Sequence, residues 1–224
     1  MSELLIKPGL MLALTKGRVL SDQLALLAAL DIKPAEDVAA SRKLVFDTNR
    51  ADLKLMVLRG ADVATYVEHG IADLGMAGKD VLLEHGGAGF YEPLDLCIGQ
   101  CRLVEAGLVD EPPLPARIRV ATKFVNTAKR YYGVQGRQVD VIRLYGAMEL
   151  APLSGLAHRI IDIVETGNTL KENGLQAVEL IENISTRLIV NQIAQKTKHD
   201  VIRPLVESLQ PLVEKSLQRS LKES

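Results

Sequence analysis

"HRIIDIVETGNTL" (residues 158–170) joins an apolar run to an acid, a Thr-Gly pair and a second threonine, and a short helical pattern follows. A short apolar run bounded by turn residues is typical of a buried strand. A strand that leads through a glycine-containing corner into a helix is the repeating unit of α/β proteins. The stretch therefore predicts an α/β fold with largely parallel strands.

Strand-like and helical patterns alternate through the rest of the chain, as that fold requires. In the first half, strand patterns occupy residues 10–14, 43–48, 52–60 and 71–80, and helical patterns occupy 18–30 and 61–70. A proline-rich connection at 109–117 precedes a second alternation, with strand patterns at 118–124, 138–146 and 158–164 and a helical pattern at 125–133.

The segment 177–191 has strand character on both sides of a polar centre, which indicates a chain that passes from one lobe back to the other. We therefore predict two α/β lobes with a crevice between them. The first lobe comprises residues 1–101 plus 185–224, and the second comprises 102–184. In the helical C-terminal segment, Pro204 is compatible with a first turn, whereas Pro211 predicts a kink or a break.

Composition excludes several classes of protein. The 27 basic and 28 acidic residues give a net charge of −1, which argues against a general nucleic-acid binder. No apolar run approaches the roughly 20 residues of a membrane span, and the first segment lacks the pattern of a signal peptide. We expect a cytoplasmic protein that binds neither nucleic acid nor a membrane.

The corner at residues 165–169 has the composition of an anion site. Glu165, Thr166, Gly167, Asn168 and Thr169 supply a row of backbone N–H groups and two hydroxyls. Free N–H groups at a strand-to-helix corner favour an anion such as phosphate, and glycine lets the backbone approach it closely. The alternative is an ordinary turn, in which Thr169 and Glu172 form a capping box and Gly174 ends the helix.

Two acids accompany this corner. Asp162 can accept hydrogen bonds from sugar hydroxyls beside a phosphate, and Glu149 follows another predicted strand end. A phosphate next to a ribose would suit both the corner and the acid. For Glu149 the alternative is a first-turn acid that the helix dipole favours.

Basic residues follow or precede several strands of the first half. Lys16, Gly17 and Arg18 form one corner, Arg42 and Lys43 precede a strand, and Arg59 follows one. Ligands of open α/β sheets bind at strand ends, and arginine can contact phosphate oxygens through two N–H groups. For any one of these cations taken alone, solvated surface is the better interpretation. Asp73 stands beside small residues that could border a flat base.

No histidine or cysteine spacing predicts a metal site formed by protein ligands alone.

Five segments in this order resemble the ATP phosphoribosyltransferase family, and they are LALTKGRVL, YVEHGIADLGMAGKDVL, RVATKFVNTAKRYY, LYGAMELAP and DIVETGNTLKENGL. The resemblance extends from about residue 10 to residue 198. The chain ends at Ser224 after one helical segment, so it is similar to the short form of the family, which lacks the regulatory domain that binds histidine.

The resemblance implies a fold, a reaction and partners. The fold would be two-lobed and similar to type II periplasmic binding proteins, with an interlobe cleft. The reaction would be transfer of the phosphoribosyl group of phosphoribosyl pyrophosphate to N1 of the adenine of ATP, with Mg²⁺, as the first step of histidine biosynthesis. The partner would be a regulatory subunit similar to histidyl-tRNA synthetase in a hetero-octamer, and the chain alone would form a homodimer.

The resemblance also implies roles for particular residues. The corner would bind the 5′-phosphate, although Glu165 stands where relatives often have a small residue. Asp162, with Glu149 nearby, would bind the ribose hydroxyls. The basic positions would bind pyrophosphate and the ATP phosphates, and the run that starts at Asp73 would border the nucleotide. Arg18 and Arg42 are the predicted catalytic residues.

Two other functions remain open at this stage. A non-catalytic two-lobed protein that binds a small molecule could share the fold, because fold alone does not determine function. A type I phosphoribosyltransferase has a similar loop, but its two adjacent acids are replaced here by Asp162 between Ile161 and Ile163.

Overall fold

The computed structural model describes residues 9–87 and 89–223, without the side chains of residues 216, 217 and 219–223. Residues 1–8 of the predicted first lobe therefore lie outside the described residues. The chain divides into two compact units, one formed by Met1–Gly99 with Ser185–Ser224 and the other by Gln100–Ile184.

The first unit contains six strands and five helices within the described residues. Its elements are β1 (Leu10–Thr15), α1 (Leu20–Ala28), β2 (Val45–Asp47), β3 (Leu53–Leu58), α2 (Gly60–Glu68), β4 (Leu74–Gly78), α3 (Lys79–His85), β5 (Phe90–Asp95) and, after the second unit, β11 (Thr186–Asn191), α7 (Gln192–Thr197) and α8 (His199–Glu223). The sheet order is β2-β3-β1-β4-β11-β5, and β1 is parallel to both β3 and β4.

Both faces of the central strand β1 are buried. Leu12 and Leu14 belong to one apolar cluster with residues of α1 and α8, whereas Ala13 belongs to another with Val63 of α2. Successive side chains of a strand point to opposite faces, so helices must cover the sheet on both sides. This arrangement explains why LMLAL is apolar without interruption.

The second unit is built around a five-stranded sheet. Its elements are β6 (Cys101–Leu108), β7 (Ile118–Thr122), α4 (Val125–Val134), β8 (Val139–Arg143), α5 (Leu150–Leu153), β9 (Arg159–Val164), α6 (Asn168–Glu172) and β10 (Leu175–Ile184). The order is β10-β6-β9-β7-β8, in which β7 is parallel to β8 and β9 while β6 is antiparallel to β9 and β10.

The strand predictions at 10–14, 43–48, 52–60, 71–80, 118–124, 138–146 and 158–164 are confirmed by β1, β2, β3, β4, β7, β8 and β9. The sequence pattern missed β5 and β6. The charged residue Glu105 lies in the buried middle of β6, where it is only 2% exposed. Its carboxylate accepts a hydrogen bond of 3.1 Å from Nε of Arg159. A buried ion pair interrupts the apolar pattern by which a strand is recognised.

The prediction for the C-terminal helix is wrong for the position of Pro204 and for a break at Pro211. α8 continues through Pro204 and Pro211, and Pro204 is its sixth residue rather than part of its first turn. A proline inside a helix removes one backbone hydrogen bond. Burial of one apolar stripe along α8 offsets this loss, and the stripe consists of Ile202, Leu205, Leu209 and Val213.

Candidate active site

A cavity of about 240 Å³ lies at the carboxyl end of β9. Its wall is formed by Glu149, Asp162, Ile163, Val164, Glu165, Thr166, Gly167, Thr169 and Leu170. The structure thus brings six of the predicted site residues of the second unit to one place. Asn168, the remaining one, is exposed at the start of α6 and is not part of this wall.

The corner between β9 and α6 depends on a glycine. Gly167 is the N-cap of α6 and has φ 86° and ψ 0°, a left-handed conformation that side chains disfavour. The helix therefore begins at Asn168, whose N–H donates to Oγ1 of Thr166 at 3.4 Å. The predicted capping box is wrong, because the N-cap is Gly167 rather than Thr169. Thr169 is already the second helical residue, and its hydroxyl is left for the cavity wall.

The other end of α6 was predicted correctly. Gly174 follows the C-cap residue Asn173, has φ 68° and donates its N–H to the carbonyl of Lys171. The Nδ2 atom of Asn173 also donates to the carbonyl of Thr169 at 2.9 Å. The short helix is therefore held at its C-terminal end.

Asp162 carries the main electrostatic feature of the cavity. Burial raises the pKa of its carboxyl above the ordinary value of 3.8, and the charge of Glu149 raises it further. The N–H of Ile163, 2.8 Å from Oδ1, and the ammonium of Lys123 oppose that rise. A half-buried carboxylate with a free oxygen is suited to accept hydrogen bonds from hydroxyl groups.

Lys123 was not among the predicted site residues. It directly follows β7, and its Nζ lies 3.7 Å from Oδ1 of Asp162. A signal for it exists in the sequence, because "LTKG" after β1 and "ATKF" at the end of β7 both place Thr-Lys at a strand end. Lys16 was predicted from its place after a strand, and Lys123 has the corresponding place after β7.

The basic positions of the first unit share one edge of its sheet. β1 and β3 are parallel with Thr15 beside Leu58, whereas β2 runs antiparallel to β3. The residues after β1 and β3 and those before β2 therefore lie at the same edge. We call the exposed cations there the basic edge, and they are Lys16, Arg18, Arg42, Lys43 and Arg59.

Hydrogen bonds on both sides of Thr15 fix where the basic edge begins. The N–H of Thr15 donates to Oε1 of Gln23 at 3.0 Å, and its Oγ1 donates to the carbonyl of Met76 at 2.8 Å. Gly17 then turns the chain with φ 112°, a value that favours glycine. On the neighbouring segment, Nζ of Lys43 lies 2.6 Å from Oε1 of Glu36, so its ammonium is already in an ion pair.

Asp73 does not lie at the basic edge. It precedes β4, at the edge of the sheet opposite to Thr15, and it is buried. Its carboxylate accepts from the N–H of Met11 at 2.8 Å and forms an ion pair of 2.8 Å with Nζ of Lys198. These contacts give Asp73 a structural role, and we leave it out of the proposed site.

Two features of the described residues concern metal ions and membranes. Residues 9–87 and 89–223 contain no cluster of three or more His, Cys, Asp or Glu side chains suited to a metal ion. Over the same ranges, none of the helices combines the length and the apolar character that a membrane crossing needs.

Comparison with known proteins identifies the family. The family model described as HisG, ATP phosphoribosyltransferase, matches residues 59–211. The ATP phosphoribosyltransferase of Ectopseudomonas mendocina is 60% identical over 205 residues, which cover 92% of this chain and 97% of the relative. That of Chromohalobacter salexigens is 60% identical over 200 residues, covering 89% and 93%.

Solved structures agree on the fold. An ATP phosphoribosyl transferase (HisG:HisZ) complex from Thermotoga maritima matches with a TM-score of 0.81 and 34% identity, covering 92% of this chain and 99% of that one. The periplasmic aliphatic sulphonate binding protein SsuA from Escherichia coli matches with a TM-score of 0.59 and 13% identity, covering 97% and 72%. The predicted fold class, two α/β lobes similar to periplasmic binding proteins, is confirmed. The chain belongs to the ATP phosphoribosyltransferase family.

Proposed function

We propose that this chain transfers the phosphoribosyl group of phosphoribosyl pyrophosphate to N1 of the adenine of ATP and releases pyrophosphate. This is the first step of L-histidine biosynthesis. The observation that carries the proposal is 60% identity over 92% of the chain to an enzyme named for this activity. A non-catalytic binding protein is not favoured, because the periplasmic binding protein of the same fold is only 13% identical.

The cavity at β9 is the proposed site for the phosphoribosyl half of the substrate. Backbone N–H groups and hydroxyls between Glu165 and Thr169 bind the 5′-phosphate, and Gly167 lets the backbone come close to it. Asp162 accepts hydrogen bonds from the ribose hydroxyls, with Glu149 on the same wall. Asn168 contributes through its backbone rather than its side chain.

The basic edge is the proposed site for the negative charge of ATP and of the departing pyrophosphate. Arg18 and Arg42 stabilise the leaving group, because a guanidinium can donate two parallel hydrogen bonds to phosphate oxygens. Lys16, Lys43 and Arg59 add positive charge, and Gly17 allows close approach. The ion pair of Lys43 with Glu36 must loosen for this role.

The reaction then needs alignment and charge stabilisation rather than a protein nucleophile. Adenine N1 attacks C1 of the ribose with inversion while the bond from C1 to the pyrophosphate oxygen breaks and its electron pair leaves with the pyrophosphate. Positive character develops on the ribose and negative charge on the leaving group. Holding the two substrates in line lowers the entropic part of the barrier, and fixed cations lower the electrostatic part.

Mg²⁺ fits this site as an ion shared with the substrate. Magnesium is commonly held by one or two carboxylates together with substrate phosphates, and Asp162 and Glu149 are two carboxylates on one cavity wall. When bound, Mg²⁺ would neutralise phosphate charge and act as a Lewis acid toward the leaving group.

The proposed partner is a regulatory subunit similar to histidyl-tRNA synthetase. The related protein from Thermotoga maritima is described as a HisG:HisZ complex. For this chain we propose an equivalent hetero-octamer, a homodimer when the partner is missing, and a cytoplasmic location.

The test is an assay of pyrophosphate release from the purified chain with ATP, phosphoribosyl pyrophosphate and Mg²⁺, with the nucleotide product identified by mass. Matched reactions omit one substrate. We expect N1-(5-phosphoribosyl)-ATP only in the complete mixture. Binding of both substrates without turnover would indicate that the regulatory subunit is required. Failure to bind either substrate would contradict the proposal and favour the non-catalytic alternative.

A further inference from the structure

Strand pairing places Lys123 beside Asp162, although the two residues are far apart in the sequence. β7 and β9 are parallel, and Thr122 lies opposite Ile161. The next residue along each chain segment is Lys123 on one side and Asp162 on the other, so these two residues are neighbours. Thr122 is buried, and its Oγ1 donates to the carbonyl of Ile161 at 2.6 Å. The same oxygen accepts from the N–H of Phe124 at 2.9 Å. These two bonds fix the turn that presents Lys123.

The side chain of Lys123 is held only loosely. Its Nζ lies 3.7 Å from Oδ1 of Asp162, which is longer than a normal N–H···O hydrogen bond. It also lies 4.8 Å from the centroid of the Phe124 ring, within the range of a cation–π contact. The side chain is 43% exposed. An ammonium in this position can move to a stronger acceptor at little cost.

The acidic residues of the cavity wall would repel an anionic substrate unless a cation lay nearby. Glu149, Asp162 and Glu165 all line the cavity, yet the proposed substrate carries several negative charges of its own. A polyanion approaches carboxylates favourably only if cations lie close by. Lys123 brings a positive charge to the Asp162 side of this wall.

The position of Lys123 selects one end of the substrate. The 5′-phosphate is assigned to residues 165–169, which lie beyond the end of β9. Lys123 instead lies beside Asp162, which is still within β9 and is assigned to the ribose hydroxyls. The hydroxyl at C2 of ribose neighbours C1, and C1 carries the pyrophosphate. The C1 end is therefore the end nearer to Lys123.

We propose that Lys123 is a further catalytic residue, which leaves Asp162 when phosphoribosyl pyrophosphate binds and donates hydrogen bonds to the departing pyrophosphate. No proton is transferred. The ammonium stabilises the oxygen that receives the electron pair when its bond to C1 breaks, and Asp162 is released to the ribose hydroxyls. This inference rests on the proposed function and adds a contact that the sequence analysis did not assign.

The test compares Lys123→Met with Lys129→Met, which removes the charge of an exposed lysine on α4 and serves as the matched control. Binding of inorganic pyrophosphate and of ribose 5-phosphate is measured separately by calorimetry, each with Mg²⁺. For Lys123→Met we expect about 10-fold weaker binding of pyrophosphate, unchanged binding of ribose 5-phosphate and a fall in kcat of roughly 10–100-fold. Lys123→Arg should recover part of both losses, and Lys129→Met should resemble wild type.

Three results would overturn the inference. They are unchanged binding of pyrophosphate in Lys123→Met, an equal loss for both ligands, or a loss confined to ribose 5-phosphate. Retained binding of ribose 5-phosphate also shows that the variant is folded. If wild type fails to bind ATP or phosphoribosyl pyrophosphate, the proposed function fails, and that outcome is distinct because it does not depend on the variants.

Discussion

The two units present opposite chemistry at the carboxyl ends of their parallel strands. In the first unit, the basic edge consists of exposed cations on short connections. In the second, partly buried acids, hydroxyls and a left-handed glycine surround a cavity of about 240 Å³. Both edges follow the same rule that ligands of α/β sheets bind at strand ends.

If the proposed sites are correct, the two units bind the same kind of charged ligand in two different ways. Exposed cations act over several ångströms and are screened by salt, so the position of each is loosely constrained. Groups inside a cavity act through hydrogen-bond geometry, which depends on backbone conformation and burial. The basic edge should therefore respond mainly to changes of charge, and the cavity mainly to changes of shape.

The largest expected effect is on the basic edge. Arg18→Ala and Arg42→Ala should each lower kcat by roughly 10²–10³-fold, because each removes a donor to the leaving group. Arg50→Ala is the control, since Arg50 is at the opposite end of β3 and pairs with Asp52 at 2.7 Å. Steady-state kinetics of the three variants and of wild type measure these changes in kcat. Near-normal turnover in both Arg18→Ala and Arg42→Ala would remove the basic edge from the mechanism.

A smaller effect is expected from the shape of the corner. Gly167 and Gly174 have φ of 86° and 68° at the two ends of α6, so alanine at either should cost roughly 1–2 kcal/mol of stability. Only Gly167 lines the cavity. Gly167→Ala should therefore weaken binding of ribose 5-phosphate about 10-fold, roughly 1.4 kcal/mol, whereas Gly174→Ala should not. Thermal unfolding and calorimetry measure the two quantities. Equal binding losses would show that the corner matters only for folding.

The hydroxyl of Thr169 should contribute less than the backbone does. Thr169→Ala removes one hydrogen bond, roughly 1 kcal/mol, so we expect about 5-fold weaker binding of phosphoribosyl pyrophosphate. Binding of ATP should stay as in wild type and provides the internal control. If calorimetry shows the same loss for both substrates, the corner has been assigned to the wrong ligand.

The smallest predicted effect concerns stability and its dependence on pH. The raised pKa of Asp162 means that the folded state favours the protonated acid. The protonated side chain of Asp162 therefore stabilises the folded state at low pH, and this contribution to the free energy of unfolding is lost as the pH rises through the raised pKa. Asp162→Asn should therefore unfold at a higher temperature than wild type at neutral pH, and the difference should shrink as the pH falls toward 3.8, the ordinary value.

Asp52→Asn is a control of opposite sign. The hydrogen bond from Arg50 lowers the pKa of Asp52, so this carboxylate stabilises the fold at neutral pH and the benefit is lost in acid. Thermal unfolding of both variants between neutral pH and pH about 4 compares them. If the unfolding temperatures of both variants differed from wild type in the same direction at neutral pH, the role given to burial at Asp162 would be contradicted.

Local patterns in the sequence predicted much of the fold and part of the site. Strands such as Leu10–Thr15 are apolar because both faces are buried, and this pattern is visible without a structure. The Thr-Gly corner was recognised because free N–H groups, hydroxyls and a glycine after a strand favour an anion, with an ordinary turn as the alternative. The capping box was misplaced, because the N-cap is the left-handed Gly167, which lies two residues before Thr169.

The tertiary structure decided what depends on contacts between distant residues. Pairing of β7 with β9 brings Lys123 to Asp162, and pairing of β2, β3 and β1 gathers the basic edge. Burial against the core keeps α8 continuous through two prolines, and Lys198 gives Asp73 a structural role. Sequence alone allowed the prediction of residue types suited to phosphate and sugar, since that follows from their chemistry. Which of them lie together follows from strand order and direction, and these arise only when the whole sheet forms.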